Sequence, residues 1–113
     1  MSKSIKTTKD VIQSVRDGWE AETIVKNAVT PDGESIKSLI SKHSYLKQEL
    51  EDVESDIAKF AKVVSKAINT LDESDDAEDW SLAYELSYLR ADLAGELGYT
   101  DYRSEEGWIN SEY

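Results

Sequence analysis

The sequence contains no cysteine and only one histidine and one proline. Without cysteine there is no disulfide framework, thiolate nucleophile or zinc–thiolate site. With His43 as the single imidazole, no His-ligated metal cluster and no two-imidazole chemistry can be assembled. No apolar run is long enough to span a bilayer, so no membrane partner is expected. The opening stretch MSKSIKTTKD is polar and has no apolar h-region, so no secretory signal is expected and the cytoplasm is the expected location. Pro31 is the sole proline, and neither glycine nor proline occurs between Gly33 and Gly95. The middle of the chain therefore carries no helix breaker.

Basic charge is scarce, and the scarcity is local. The net charge is −11 over 113 residues, although residues 1–71 are balanced, with eleven acidic and eleven basic side chains. Residues 72–113 hold thirteen Asp or Glu against Arg90 and Arg103 alone, so the whole excess lies there. Trp80, Trp108 and five of the six tyrosines share that stretch: Tyr84, Tyr88, Tyr99, Tyr102 and Tyr113. A negative, aromatic surface repels nucleic acid and lipid phosphates and attracts basic protein surfaces. A chain of this length makes one small domain with a modest core, which favours a partner or self-association.

What is present is helical periodicity. Counting from Ile36, apolar residues recur at alternating spacings of three and four: Ile36, Leu39, then, past His43, Leu46, Leu50, Val53, Ile57, Phe60, Val64, Ala67 and Leu71. The pattern predicts one long helix with a coiled-coil seam over 32–71. His43 is the polar interruption, a position that sets register or partner choice. Ala61, Val63 and Ile68 widen the stripe, which implies more than one neighbour. Within 1–31, Thr7 and Asp10 form a capping box ahead of Val11, Ile12, Val15 and Trp19. Gly18 divides that helix from a second piece bearing Ile24, Val25 and Ala28, and Thr30 to Gly33 forms a turn. Within 72–98, the acidic stretch DESDDAED leads into a second helix with Leu82, Leu86, Leu89, Leu93 and Leu97 on one side, closed by Gly98. Tyr84 and Tyr88 lie off that side, in a row continued by Ala91 and Gly95. Residues 99–113 have no clear period, yet their aromatics predict that part of the segment docks on the rest. The expected fold is all-α: a single helical domain, a small bundle in which a long central helix pairs antiparallel with a shorter C-terminal helix, plus a short N-terminal helical segment.

No catalytic motif emerges, so no enzyme and no cofactor are expected. Read as a calcium loop from Asp72, DESDDAED places Ala77 where the turn glycine belongs and Ala83 where the bidentate glutamate belongs. It reads as a helix-capping connection, with Asp75 or Asp76 as the cap. Glu51 and Glu54 read as part of a solvated helix face, and the Glu-x-x-His pairs of a di-iron bundle are absent. A helix-turn-helix around Gly18 would place Asn27 where an apolar residue belongs, and residues 1–31 lack a basic stripe, so direct nucleic-acid binding is not expected.

The residues singled out for partner binding are Asp75, Asp76, Glu78, Asp79, Tyr84, Tyr88, Glu105, Glu106 and Trp108: rings that insert into a partner and carboxylates that steer it. The expected function is a non-enzymatic inhibitor or adaptor whose acidic C-terminal third occupies a basic surface of a partner protein. In composition the chain resembles phage-type inhibitors that imitate DNA, which implies a partner whose basic surface ordinarily holds nucleic acid. The competing expectation is a coiled-coil assembly protein that forms a homo-oligomer through the central helix. A small DNA-binding regulator ranks below both.

Overall fold

The computed structural model of the protein describes residues 4–45 and 50–110, the side chains of Tyr45 and Leu50 excepted. Leu46, Tyr113 and the side chain of Leu50, all invoked above, lie outside the described residues. Within them the chain forms five helices and one two-stranded sheet, in agreement with a helical class.

Helix α1 (Thr8–Arg16) opens on the capping box, with Thr7 Oγ1 accepting from the Asp10 N–H and Asp10 Oδ2 accepting from the Thr7 N–H, both at 3.1 Å. It ends at Gly18, where the Gly18 and Trp19 amides reach back to the carbonyls of Val15 and Ser14 at 3.2 and 3.0 Å. Helix α2 (Ala21–Asn27) follows. Ile5, fully buried, lies alongside its end, donating to Asn27 O and accepting from the Val29 N–H at 2.9 Å each. The turn at Thr30 to Gly33 closes with the Gly33 N–H on Thr30 O at 2.8 Å.

The long central helix is the main correction. Its described residues belong to two helices, α3 (Ile36–Tyr45) and α4 (Leu50–Asp72). In one straight helix His43 and Glu54 would stand about 16 Å apart along the axis. Instead His43 Nε2 meets Glu54 Oε2 at 2.8 Å, and Asp32, just before α3, meets Lys59 at 2.6 Å. Helix α3 therefore lies back along α4. The heptad pattern is real, but its two parts face each other. Ile36, Leu39, Val53, Ile57, Phe60, Val64, Ala67 and Leu71 are all buried within the one chain. Folding back removes from water an apolar seam that a single extended helix would leave open on one side. The wide stripe of α4 has the several neighbours it predicts, since α4 packs against α1, α3 and α5.

Helix α5 (Ala77–Glu96) runs back along α4, with Arg90 reaching Ser65 and, beyond its end, Tyr99 reaching Glu54. Its C-terminus closes as that of α1 does. Gly98 at φ +89, a value costly for any side-chain-bearing residue, lets the Gly98 and Tyr99 amides satisfy Gly95 O and Ala94 O at 3.1 and 3.0 Å.

The tail contains strands that helical periodicity did not reveal. Strands β1 (Asp101–Arg103) and β2 (Gly107–Ile109) pair antiparallel, Tyr102 opposite Trp108. The loop closes with the Glu106 N–H on Arg103 O at 3.0 Å, followed by Gly107 at φ +73, a bulged hairpin connection. Tyr102 is buried in the same core as Phe60.

Candidate partner-docking face

Helix α5 carries apolar surface on two sides. At about 3.6 residues per turn, Ala83, Leu86, Leu89, Leu93, Ala94 and Leu97 form one side, and all are buried. On another side Trp80, Tyr84 and Tyr88 recur every four residues and are exposed by 52%, 63% and 57%. They are the large hydrophobic side chains that the described surface leaves open, and Ala91 and Gly95 continue their row. Beside the rings, Glu78, Glu85 and Asp92 recur every seven residues, with Glu96 one turn beyond Asp92, and all four are exposed.

The rings are held in place. The Trp80 indole N–H donates to the Ser74 carbonyl at 2.7 Å. The Tyr84 and Tyr88 hydroxyls share a hydrogen bond of 2.8 Å, and their rings meet edge to face with centroids 5.0 Å apart. The Tyr84 hydroxyl raises the pKa of Tyr88 above the ordinary tyrosine value, because their hydrogen bond favours the neutral phenol.

The acidic connection divides its labour. Asp76 caps α5, its Oδ1 accepting the Glu78 N–H at 3.0 Å. Asp79 is used inside the chain, accepting from the Ser74 hydroxyl at 2.7 Å and pairing with Arg16 at 3.2 Å. Asp75 and Glu78 stand exposed. Of the acidic quartet singled out from the sequence, these two are presented to solvent without a structural task of that kind.

The remaining candidates fall elsewhere. Glu105 and Glu106, exposed at the hairpin tip, border a cleft of about 280 Å³ with Ser65, Asn69, Arg90 and Arg103. Arg90 projects from the core side of α5, so the hairpin tip lies around the helix from Tyr84 and Tyr88. Trp108 is partly buried, stacked on Tyr99 with centroids 5.5 Å apart and edge-on to Tyr102 at 4.9 Å. It covers the core. Trp80, Glu85 and Asp92 were missed in the sequence, although the intervals of four (80, 84, 88) and seven (78, 85, 92) were there to be read.

A second polar constellation joins His43, Glu54 and Tyr99. Glu54 Oε1 accepts the Tyr99 hydroxyl at 2.8 Å while Oε2 meets His43 Nε2 at 2.8 Å. The bond to Glu54, then burial, pushes the Tyr99 pKa upward. Glu54 is therefore no member of a solvated face: only 19% of its side chain is exposed, and it ties α3, α4 and the chain after α5 together. Among the described residues no three His, Cys, Asp or Glu gather into a group that could hold a metal ion. No helix among them is long and apolar enough to cross a membrane.

A groove of about 670 Å³ lies between α2, α3 and α5. Val25, Ile40, Leu89 and Leu93 supply most of its apolar lining, and Glu22, Lys26, Lys37, Asp92 and Glu96 its charges. Ala91 and Gly95 reach it too, so the ring row of α5 runs on into the groove. The chain matches no protein-family model, no curated protein and no solved structure.

Proposed function

We propose that this protein is a non-enzymatic binding module, an inhibitor or adaptor that occupies a basic surface of a partner protein through its acidic, aromatic C-terminal third. One observation carries the reading: Trp80, Tyr84 and Tyr88 stand exposed in a row beside the carboxylates of Glu78, Glu85 and Asp92. Large rings left in water are the anchors of interfaces, and a flanking carboxylate row selects cationic partners and speeds their encounter. The rings are already held by hydrogen bonds, so less side-chain freedom is lost on binding.

Imitation of DNA is a narrower form of the same proposal. The acidic row of α5 advances about 10.5 Å per heptad, whereas one strand of a duplex carries a charge about every 3.4 Å of axis. By itself α5 therefore reproduces roughly one phosphate in three of one strand. A cationic partner surface fits the row whether or not nucleic acid also binds there. Self-association through the heptad seam competes with this reading, but the described seam residues are buried within one chain and offer no open face.

The test is a comparative capture. The wild-type protein and two variants, Trp80→Ala/Tyr84→Ala/Tyr88→Ala and Glu78→Gln/Glu85→Gln/Asp92→Asn, are immobilised and exposed to the same cell lysate at low and high salt. The reading requires basic proteins retained by the wild type at low salt, released at high salt and lost from both variants. Identical sets on all three matrices would refute it.

A further inference from the structure

The rows on α5 also restrict the shape of what covers them. Rings spaced by four and carboxylates spaced by seven both follow a helical repeat, so they line up along one helix. A partner that meets both rows along their length must carry matching apolar and basic rows at the same repeat, and an α-helix does this with apolar a and d positions flanked by Lys or Arg. The exposed parts of the three rings offer on the order of 300 Å², against about 800 Å² per partner in a standard interface. The flanking carboxylates and the small residues Ala91 and Gly95 must supply much of the remainder. Small residues let a second helix approach closely.

We propose that the occupant of this face is a basic amphipathic α-helix of a partner protein, lying along α5 with its apolar row on Trp80, Tyr84 and Tyr88 and its cations on Glu78, Glu85 and Asp92. The assignment rests on the binding-module reading and narrows its partner to one shape and charge. A second copy of this chain fits poorly, because a two-fold interface places the same patch on both sides and brings two carboxylate rows together. Anionic membranes and nucleic acid meet the same repulsion.

The probe is a synthetic peptide of about three heptads with Leu at a and d and Lys at e and g. Its first control is an isomer of identical composition with the lysines displaced from heptad register, and its second is a folded, basic DNA-binding domain. Binding is measured by titration calorimetry and by the NMR signal of the Trp80 indole N–H, identified by its loss in Trp80→Phe. The expected result is a peptide that shifts that signal, binds at least about tenfold more tightly than its isomer, and loses about tenfold or more with Tyr84→Ala/Tyr88→Ala. Glu85→Lys/Asp92→Lys should abolish binding, and a peptide with Glu in place of Lys should restore it. Equal affinity for peptide and isomer would overturn the helical partner while leaving capture of a basic surface in place. So would a Trp80 shift with the DNA-binding domain but not with the peptide. No shift with any probe would overturn both readings. A dimer in sedimentation that Tyr84→Ala dissolves would show a second copy on this face and overturn the proposal.

Discussion

Arg90 grips Asp101 with both prongs of its guanidinium, Nε to Oδ1 at 3.0 Å and Nη2 to Oδ2 at 3.2 Å, while Nη1 holds the buried hydroxyl of Ser65 at 3.0 Å. One side chain thereby joins α4, α5 and β1. Planar, two-point pairing of this kind is specific to arginine.

Asp101→Ala leaves that guanidinium buried without its counter-charge. The loss is expected near 3 kcal/mol, the low end for a broken buried pair, because 19% of the Asp101 side chain stays exposed. Urea unfolding followed by tryptophan fluorescence measures it, and release of the hairpin should also shift Trp108 emission to the red. Arg90→Lys should fall between the two proteins, since it keeps the charge and loses the fork.

Ile57→Ala removes a fully buried side chain from the centre of α4. It should cost about 2–5 kcal/mol, visible as a lower urea midpoint. Tyr84→Ala, on the exposed face, should change stability by no more than about 0.5 kcal/mol. A large loss for Tyr84→Ala would mean that the ring row serves the fold.

Asp76→Ala removes the cap of α5 and should cost about 1 kcal/mol. Asp75→Ala, one residue earlier and exposed, should stay within about 0.5 kcal/mol. Thermal melts of the two variants separate the capping carboxylate from its solvated neighbour.

Alkaline pH should destabilise the fold. The bond to Glu54 raises the Tyr99 pKa and burial raises that of Tyr102. A phenol held neutral in the native state ionises first in the unfolded chain, so the native state binds more protons above about pH 10. The stabilisation is complete below the unfolded pKa and is lost as pH rises through the folded one. Urea midpoints taken from neutral to alkaline pH should fall in that range, and Tyr99→Phe should fall less steeply.

The parts of this fold legible in the sequence are those governed by local chemistry. The Thr7–Asp10 box, the Gly18 and Gly98 helix ends and the turn at Thr30 to Gly33 stand where side-chain and glycine rules place them. Leu86, Leu89, Leu93 and Leu97 are buried as their spacing predicts, and Leu82, near the start of α5, is partly buried against the same core. The division between α3 and α4 was not legible, because a heptad seam reads the same whether its two parts lie end to end or face each other. The contact between His43 and Glu54 decides between them, and it depends on tertiary structure. Strands of three residues leave too few alternations to register as a period, although Gly107 ahead of Trp108 and Ile109 hinted at a hairpin. On the candidate face, Tyr84 and Tyr88 were identifiable by their offset from the leucines. Trp108 is half-buried against Tyr99 and Tyr102, a placement that composition does not reveal, since it cannot tell a ring that covers the core from one that faces water.

The order in which the core is covered has a consequence for synthesis. Helix α4 leaves the ribosome after α1 and α3, but the side that α5 covers, and the Ser65 hydroxyl that Arg90 will take, must wait for later residues. Tyr102 and its hairpin partner Trp108 come later still. Until about the last of these has emerged, the nascent chain exposes part of its apolar interior, the condition under which chaperones bind and proteases cut. Resistance to proteolysis should therefore appear abruptly in stalled chains, only when an appended C-terminal linker is long enough to carry the hairpin clear of the exit tunnel.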